Sequence, residues 1–311
     1  MEMENNLTNK NIYLIGEYIN NKRKDCNKYR IIKFILKIAF LLSLIIINSK
    51  YKTFFKYRYL KSNFKYILEN KVDYNHTHIL NNTIFWCWFQ GVEKAPKLYL
   101  SALNSLKLNL KNFTIILLND NNFRNYVHFP PYIIEKYNNN LITKTHFSDI
   151  LRAELLLEYG GTWIDASVLA TSYNESFFYK DLFFFSERTF EAIGSSWFIT
   201  SEKGSPIIRT TRDLLYEYWR LNNNLFDYFL FHMFFKISCF FYYKDFKNVL
   251  FISNRPPHQL RDVLNHDYSK KLYDKIINSS SIHKLSIKQL TADKKKGGTM
   301  YHHILEEYLP K

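Results

Sequence analysis

Three features of the sequence predict an α/β fold. A short apolar, aromatic run, Thr83–Phe89 (TIFWCWF), reads as a buried strand that Gln90-Gly91 ends. Apolar residues at helical spacing come next between Ala95 and Leu110 (Leu98, Ala102, Leu103, Leu106), and Phe113–Leu118 (FTIILL) then reads as a second buried strand. Further on, a helical stripe closed by Gly160-Gly161 leads into an apolar strand at Trp163–Leu169. Strand–helix–strand order is how an α/β nucleotide-binding half begins, and ligands are expected at the carboxyl ends of its strands.

Composition agrees with a folded chain. The 311 residues can bury one large core or two small ones, and 47% hydrophobic with 23% charged residues describes a globular protein. The formal net charge is +15, which suits a polyanionic partner such as nucleic acid, an anionic membrane surface or a phosphate-bearing substrate. Zinc-finger spacing, an RNP-like aromatic motif and an uninterrupted basic tract are all missing, so nucleic acid is not the expected partner. Cys26, Cys87 and Cys239 are widely spaced and form no CxxC pair, which argues for a reducing compartment and against a disulfide framework. Triplets such as Asn75-His76-Thr77 and Asn112-Phe113-Thr114 are expected by chance in so Asn-rich a chain.

Two regions are expected: a basic N-terminal segment, 1–62, and a main domain, 80–300. Within the first, residues 31–48 (IIKFILKIAFLLSLIIIN) approach the length of about 20 apolar residues that crosses a bilayer. Lys33 and Lys37 interrupt the run on one helical face, and its uninterrupted part, Ile38 to Ile47, is too short to span alone. Lys22, Arg23, Lys24, Lys28 and Arg30 precede it, and Lys50, Lys52, Lys56, Arg58 and Lys61 come after it. An amphipathic helix lying on an anionic leaflet fits this pattern better than a single pass. The expected location is therefore cytoplasmic, peripheral on the inner face of the membrane, with a single pass as the alternative. In the main domain, 206–237 read as helical, 249–253 as a strand, and the Lys-rich tail from 284 as solvated.

The chemistry concentrates in residues 145–170, THFSDILRAELLLEYGGTWIDASVLA. Ser148 reads as an N-cap, with Phe147, Ile150, Leu151, Leu155 and Leu156 as the buried stripe. Asp149 and Arg152 then leave one face of the helix near an N-terminus that favours anions. An Asp there can accept hydrogen bonds from sugar hydroxyls, and an Arg can clamp phosphate oxygens with its fork. An i,i+3 Asp–Arg pair is in most proteins a surface ion pair. The sequel raises its interest, because the next strand carries Asp165 among Trp163, Ile164, Val168 and Leu169, where a bare carboxylate is costly to bury. A hard divalent cation bridging a diphosphate is one partner that would offset the cost. Ser167 is expected on the same strand face as Asp165.

The run HFSDILRAELLLEYGGTWIDAS, with IFWCWFQG upstream, resembles capsular polysaccharide synthesis proteins. These are similar in turn to the DXD-containing sugar-binding-region and large-clostridial-toxin glycosyltransferases, with their S-D-x-x-R…Y-G-G-x-x-x-D-x-D signature. The resemblance covers roughly residues 80–300 and implies a GT-A fold, a UDP- or GDP-sugar donor, a glycan acceptor and a Mn²⁺ or Mg²⁺ ion. Carried over, Asp149 and Arg152 would hold the donor sugar and its phosphates. Asp165, the first acid of D-x-D, would contact ribose, sugar and metal, and Trp88 would stack on the base. Ser167 stands where the second acid is normally found, and a neutral hydroxyl weakens the metal site. A later stretch, EYWRLNNNLFDYFLFHMFF, resembles a helical motif of the same family and contributes Asp227 and His232 as acceptor-side or structural residues. His283 is a candidate late metal ligand. The function implied is transfer of a hexosyl-type group from a nucleotide sugar to a hydroxyl of a capsular or cell-surface polysaccharide. A non-catalytic nucleotide-sugar-binding protein and a Golgi-type lumenal transferase are the alternatives.

Overall fold

The structure is a computed structural model that describes Ile35 and residues 51–69, 81–187, 192–290 and 297–309. The chain divides into two compact units, Met1–Lys56 and Tyr57–Lys311. In the first unit, Ile35 and 51–56 are described, and all are helical. The rest of the apolar run 31–48, and with it the expected amphipathic helix, lies outside the described residues. Among the described residues, no helix is long and apolar enough to cross a membrane.

The second unit opens with helical residues 57–63 and Lys65–Glu69 and continues as a mixed α/β domain. Its elements run β1 (Thr83–Cys87), α1 (Lys97–Asn109), β2 (Thr114–Leu118), α2 (Pro131–Asn138), α3 (Lys144–Tyr159), β3 (Gly161–Ile164) and β4 (Val168–Ala170). Next come β5 (Leu182–Ser186), β6 (Gly194–Ser201), α4 (Pro206–Leu221), α5 (Leu230–Phe241) and β7 (Ile252–Ser253). The chain closes with α6 (Arg255–Asp262), α7 (Lys270–Ile277), β8 (Ile282–Lys284) and α8 (Met300–Tyr308). Six strands form the central sheet in the order β2-β1-β3-β6-β5-β7. β1 is parallel to both β2 and β3, β6 is antiparallel to β3 and β5, and β7 is parallel to β5. β4 and β8 pair antiparallel in a small second sheet.

Both faces of the central sheet are covered. Along β1, Phe85 and Cys87 join a core with Ile150 of α3, Leu214 of α4 and Phe234 of α5. Ile84 and Trp86 join the opposite core with Leu103 and Leu106 of α1 and Phe183, Phe185 and Phe198. A strand buried on both faces needs apolar side chains at every position, hence the unbroken runs TIFWCWF and LFFF. Gly160 and Gly161 have φ of 70° and 91°, a region closed to most side chains. A Cβ at Gly161 would also lie 2.5 Å from the Thr83 carbonyl oxygen, so only glycine lets β3 enter the sheet beside β1 here.

Three readings of the sequence are corrected. Trp163–Leu169 is not one strand: β3 ends at Ile164, a turn closed by Val168 N–H donating to Asp165 C=O at 3.0 Å intervenes, and β4 belongs to the other sheet. The span 206–237 is two helices, interrupted around Asn222-Asn223-Asn224, residues that favour turns. The tail from 284 is not wholly solvated: among its described residues several are buried. Leu285, Met300, Ile304 and Tyr308 are buried in a third core with Leu98 and Ala102 of α1 and Leu169 of β4. Each such side chain gains about 1.5–3 kcal/mol on burial, which holds these described residues on the domain.

Three histidines of this unit are held neutral. Burial pushes the pKa of His232, His258 and His283 down to about 4. In the unfolded chain each would take up a proton near pH 6.5. The folded state therefore binds fewer protons between pH 6.5 and 4, and stability present above pH 6.5 is lost as the pH falls through that window. His283, fully buried, accounts for roughly 2 kcal/mol of the loss by pH 5. Thermal denaturation of the whole chain should show Tm falling steadily from pH 7 to pH 4.5, and a flat profile would contradict the buried neutral histidines.

Candidate functional site

The carboxyl ends of the parallel strands β1 and β3 open into a cavity of about 390 Å³. Trp88 and Phe89 come directly after β1, and Asp165, Ala166 and Ser167 directly after β3; all five line it. α3 adds Ser148, Asp149 and Arg152, and α5 adds His232, with Tyr99, Lys144, Trp163, Ser196 and Tyr228 completing much of the wall. A larger depression of about 730 Å³, bordered by Asp181, Pro206, Asp245 and Phe251, gathers none of the motif residues.

α3 is fixed at both ends. Thr143, not Ser148, caps it, accepting from His146 N at 3.4 Å. The helix thus begins about a turn earlier than expected, and Asp149 and Arg152 sit in its second and third turns rather than at the N-terminus. Ser148 instead donates to the Thr145 carbonyl at 2.6 Å and accepts from Arg152 Nη2 at 3.3 Å. Lys144 ties the start of α3 to Asp120, beyond β2, at 2.8 Å. Deeper in the domain, Arg212 of α4 donates to both carboxylate oxygens of Glu154 at 3.1 and 3.0 Å.

Asp149 and Arg152 are 8% and 4% exposed, too buried for an ordinary surface pair. Arg152 Nη1 lies 3.2 Å from Asp149 Oδ1 and donates to the Ser196 carbonyl at 2.9 Å. Its guanidinium lies 5.1 Å from the Trp163 ring centroid and 5.4 Å from that of Phe231, which holds the fork in place by cation–π contact. Arg152 Nε is buried without a hydrogen-bond partner among the described residues. His146 Nδ1 stands 3.6 Å from Asp149 Oδ2.

Asp165 gathers the charges. Its backbone N–H donates to Trp197 C=O at 2.9 Å, extending the β3–β6 ladder by one residue. Its Oδ1 accepts from Trp163 Nε1 at 2.8 Å and from Arg152 Nη2 at 3.4 Å, and its Oδ2 accepts from Lys284 Nζ at 2.7 Å. Burial pushes the carboxyl pKa up, but Lys284 and Arg152 outweigh it and hold it at about 2. Lys284 was not anticipated. It comes from β8, where the register sets it opposite Val168, three residues past Asp165.

The other sequence candidates divide. Trp88 lines the cavity, meets Tyr99 edge-on at 5.5 Å, and has a buried Nε1 without a partner among the described residues. Ser167 lines it from the turn, and its carbonyl accepts from Leu285 N–H at 2.8 Å. His232 lines it as a neutral imidazole whose Nδ1 has no partner among the described residues. Asp227 does not line the cavity; its Oδ1 accepts from Phe229 N–H at 2.8 Å just before α5. His283 does not line it either. On β8 it faces away from Lys284, is fully buried, and has Nε2 3.3 Å from Thr171 Oγ1.

The residues present fit a divalent cation poorly. Asp165, the one acid of the D-x-D pair, has both oxygens engaged by donors, Oδ1 by Trp163 and Arg152 and Oδ2 by the Lys284 ammonium. Asp149 is engaged by Arg152 and faced by His146, and Ser167 offers only a hydroxyl. Among the described residues, no group of three or more His, Cys, Asp or Glu side chains is placed to hold a metal ion.

Residues 40–304 match the family described as capsular polysaccharide synthesis protein. The match begins inside the apolar run, covering the end of the first expected region and all of the second. No curated protein sequence matches the chain. Among solved structures the chain is similar to one titled PaToxG Glycosyltransferase, at 13% identity and a TM-score of 0.39, covering 83% of this chain and 96% of that one. A likeness at that score bears on neither fold nor activity.

Proposed function

The chain belongs to the capsular polysaccharide synthesis protein family, and from that premise we propose that it is a GT-A glycosyltransferase using a nucleotide-sugar donor. The observation that carries this reading is convergence. Trp88, Asp149, Arg152, Asp165 and Ser167 come from three separate stretches and meet in one cavity at the carboxyl ends of β1 and β3. That is where α/β sheets bind nucleotides, and the volume falls within the range of small-molecule sites.

In the proposed reaction the anomeric carbon–oxygen bond to the β-phosphate breaks and a bond to an acceptor hydroxyl oxygen forms. The hydroxyl's proton passes to solvent water, and the nucleoside diphosphate leaves with added negative charge. Arg152, locked by Ser196, Trp163 and Asp149, presents a fixed positive fork to that charge, which favours the transition state over the ground state. Asp149 and Asp165 supply acceptors for sugar and ribose hydroxyls, and Trp88 an aromatic surface for the base. His232, neutral and with a ring nitrogen that has no partner among the described residues, is the acceptor-side group within reach of the same cavity. The acceptor in this proposal is a hydroxyl of a capsular or cell-surface polysaccharide.

The same proposal places the enzyme on the cytoplasmic face of a membrane, held by the basic and apolar residues of 22–61. The full chain should bind anionic vesicles at low salt and be released as salt rises, with little binding to neutral vesicles. Equal binding to both would contradict that placement.

For the donor, a thermal-shift panel of uridine and guanosine diphosphate sugars should raise the Tm with at least one member, and the bare nucleosides much less. A native-state ligand at a hundred times its Kd adds about 2.7 kcal/mol, several degrees for a domain of this size. No shift with any member at millimolar concentration would overturn the transferase reading.

A further inference from the structure

We propose that Lys284 takes the place of a divalent cation in this site, so that the nucleoside diphosphate moiety of the donor binds without metal. The inference rests on the transferase reading above and deepens it.

The argument starts from charge and position. A metal in such a site would bind an oxygen of Asp165 and bridge to the diphosphate. Lys284 Nζ already stands 2.7 Å from Asp165 Oδ2, while Trp163 and Arg152 take Oδ1. A dication on that carboxylate would have to displace the ammonium or sit against its like charge. The second acid that would repay such a displacement is absent, because Ser167 is neutral. Asp149 gives no substitute, since Arg152 holds it at 3.2 Å.

The chain's own cations are matched to an anion instead. Two carboxylates, Asp149 and Asp165, face two cations, Arg152 and Lys284, so the cluster is neutral before any ligand enters. Lys284 does not itself line the cavity; its ammonium is held on the Asp165 carboxylate that does, so a diphosphate arriving beside Asp165 would draw on that ammonium next to the Arg152 guanidinium. Lys284 suits this work because it is held. The β4–β8 register fixes its backbone opposite Val168, and its side chain is only 20% exposed. Burial lowers the pKa of Lys284, and the Asp165 carboxylate opposes that fall. Arg152 would bind oxygens through its fork and Lys284 as a point charge, a division of labour common in phosphate sites.

Isothermal titration of the full-length protein with uridine diphosphate and guanosine diphosphate, in EDTA and in millimolar Mn²⁺, tests this. The diphosphate that binds should do so with a Kd within about threefold in the two buffers. Lys284→Gln should weaken it at least tenfold in EDTA, measured at a temperature where the variant is still fully folded. Lys284→Arg should recover most of the affinity, and uridine or guanosine alone should be indifferent to either change. Binding that requires Mn²⁺, or an unaltered Kd for Lys284→Gln, overturns the proposal while leaving the transferase reading intact. No binding of either diphosphate in either buffer overturns both.

Discussion

An ionised carboxylate partly withdrawn from water at the end of a strand is costly unless charge meets it, and Asp165, its side chain 26% exposed, is that carboxylate. One partner is local, Trp163 of β3, and the other two come from other elements, Arg152 from α3 and Lys284 from β8. Each element must be in place for the charge to be satisfied. α3 needs its Thr143 cap and its Arg212–Glu154 tie to α4. β8 needs β4, and β4 needs the turn at Ala166-Ser167 that carries the chain from one sheet to the other. The electrostatics of one side chain thus link the central sheet, the small sheet and the C-terminal helices.

The same arrangement places chemistry where the fold offers space. Parallel β1 and β3 end side by side because Gly161 admits the Thr83 carbonyl, and the residues just past each strand line a common cavity. Arg152 lies across the Trp163 and Phe231 rings, so its position is set by packing as well as by charge. A cation held this rigidly needs little reorganisation when negative charge develops nearby, which is the condition for electrostatic catalysis. The neutral His232 on the α5 side gives the cavity a wall of different character from the charged α3 side.

Much of this was legible in the sequence where the signal is local. β1, β2 and the stripes of α1 and α3 show as apolar runs or 3.6-residue periods, and the Asp149, Arg152, Asp165 and Ser167 spacing marks out a motif. What was not legible depends on pairing across the chain. Lys284 lies 119 residues from Asp165, and nothing near it in sequence announces the contact. His283 drew attention by residue type, yet strand alternation turns it to the opposite side, where the Leu169 register pair leads into the third core. The start of α3 was misplaced because Thr143 and Ser148 are both residue types that cap helices well, and it is Thr143 whose hydroxyl accepts from a first-turn N–H. Met300, Ile304 and Tyr308 do repeat at helical spacing, but the many lysines before them suggested solvent.

The central claim is that Asp165 and the cations around it are one electrostatic unit. A double-mutant cycle on stability, with Asp165→Asn, Lys284→Met and the two combined, measures this directly by denaturant unfolding. Asp165→Asn alone leaves the Lys284 ammonium without its counter-charge, whereas the double variant removes both charges together. The account predicts a coupling of about 1 kcal/mol or more, with the double variant more stable than the sum of the singles implies. Effects that add to within about 0.3 kcal/mol would show two independent side chains and contradict it.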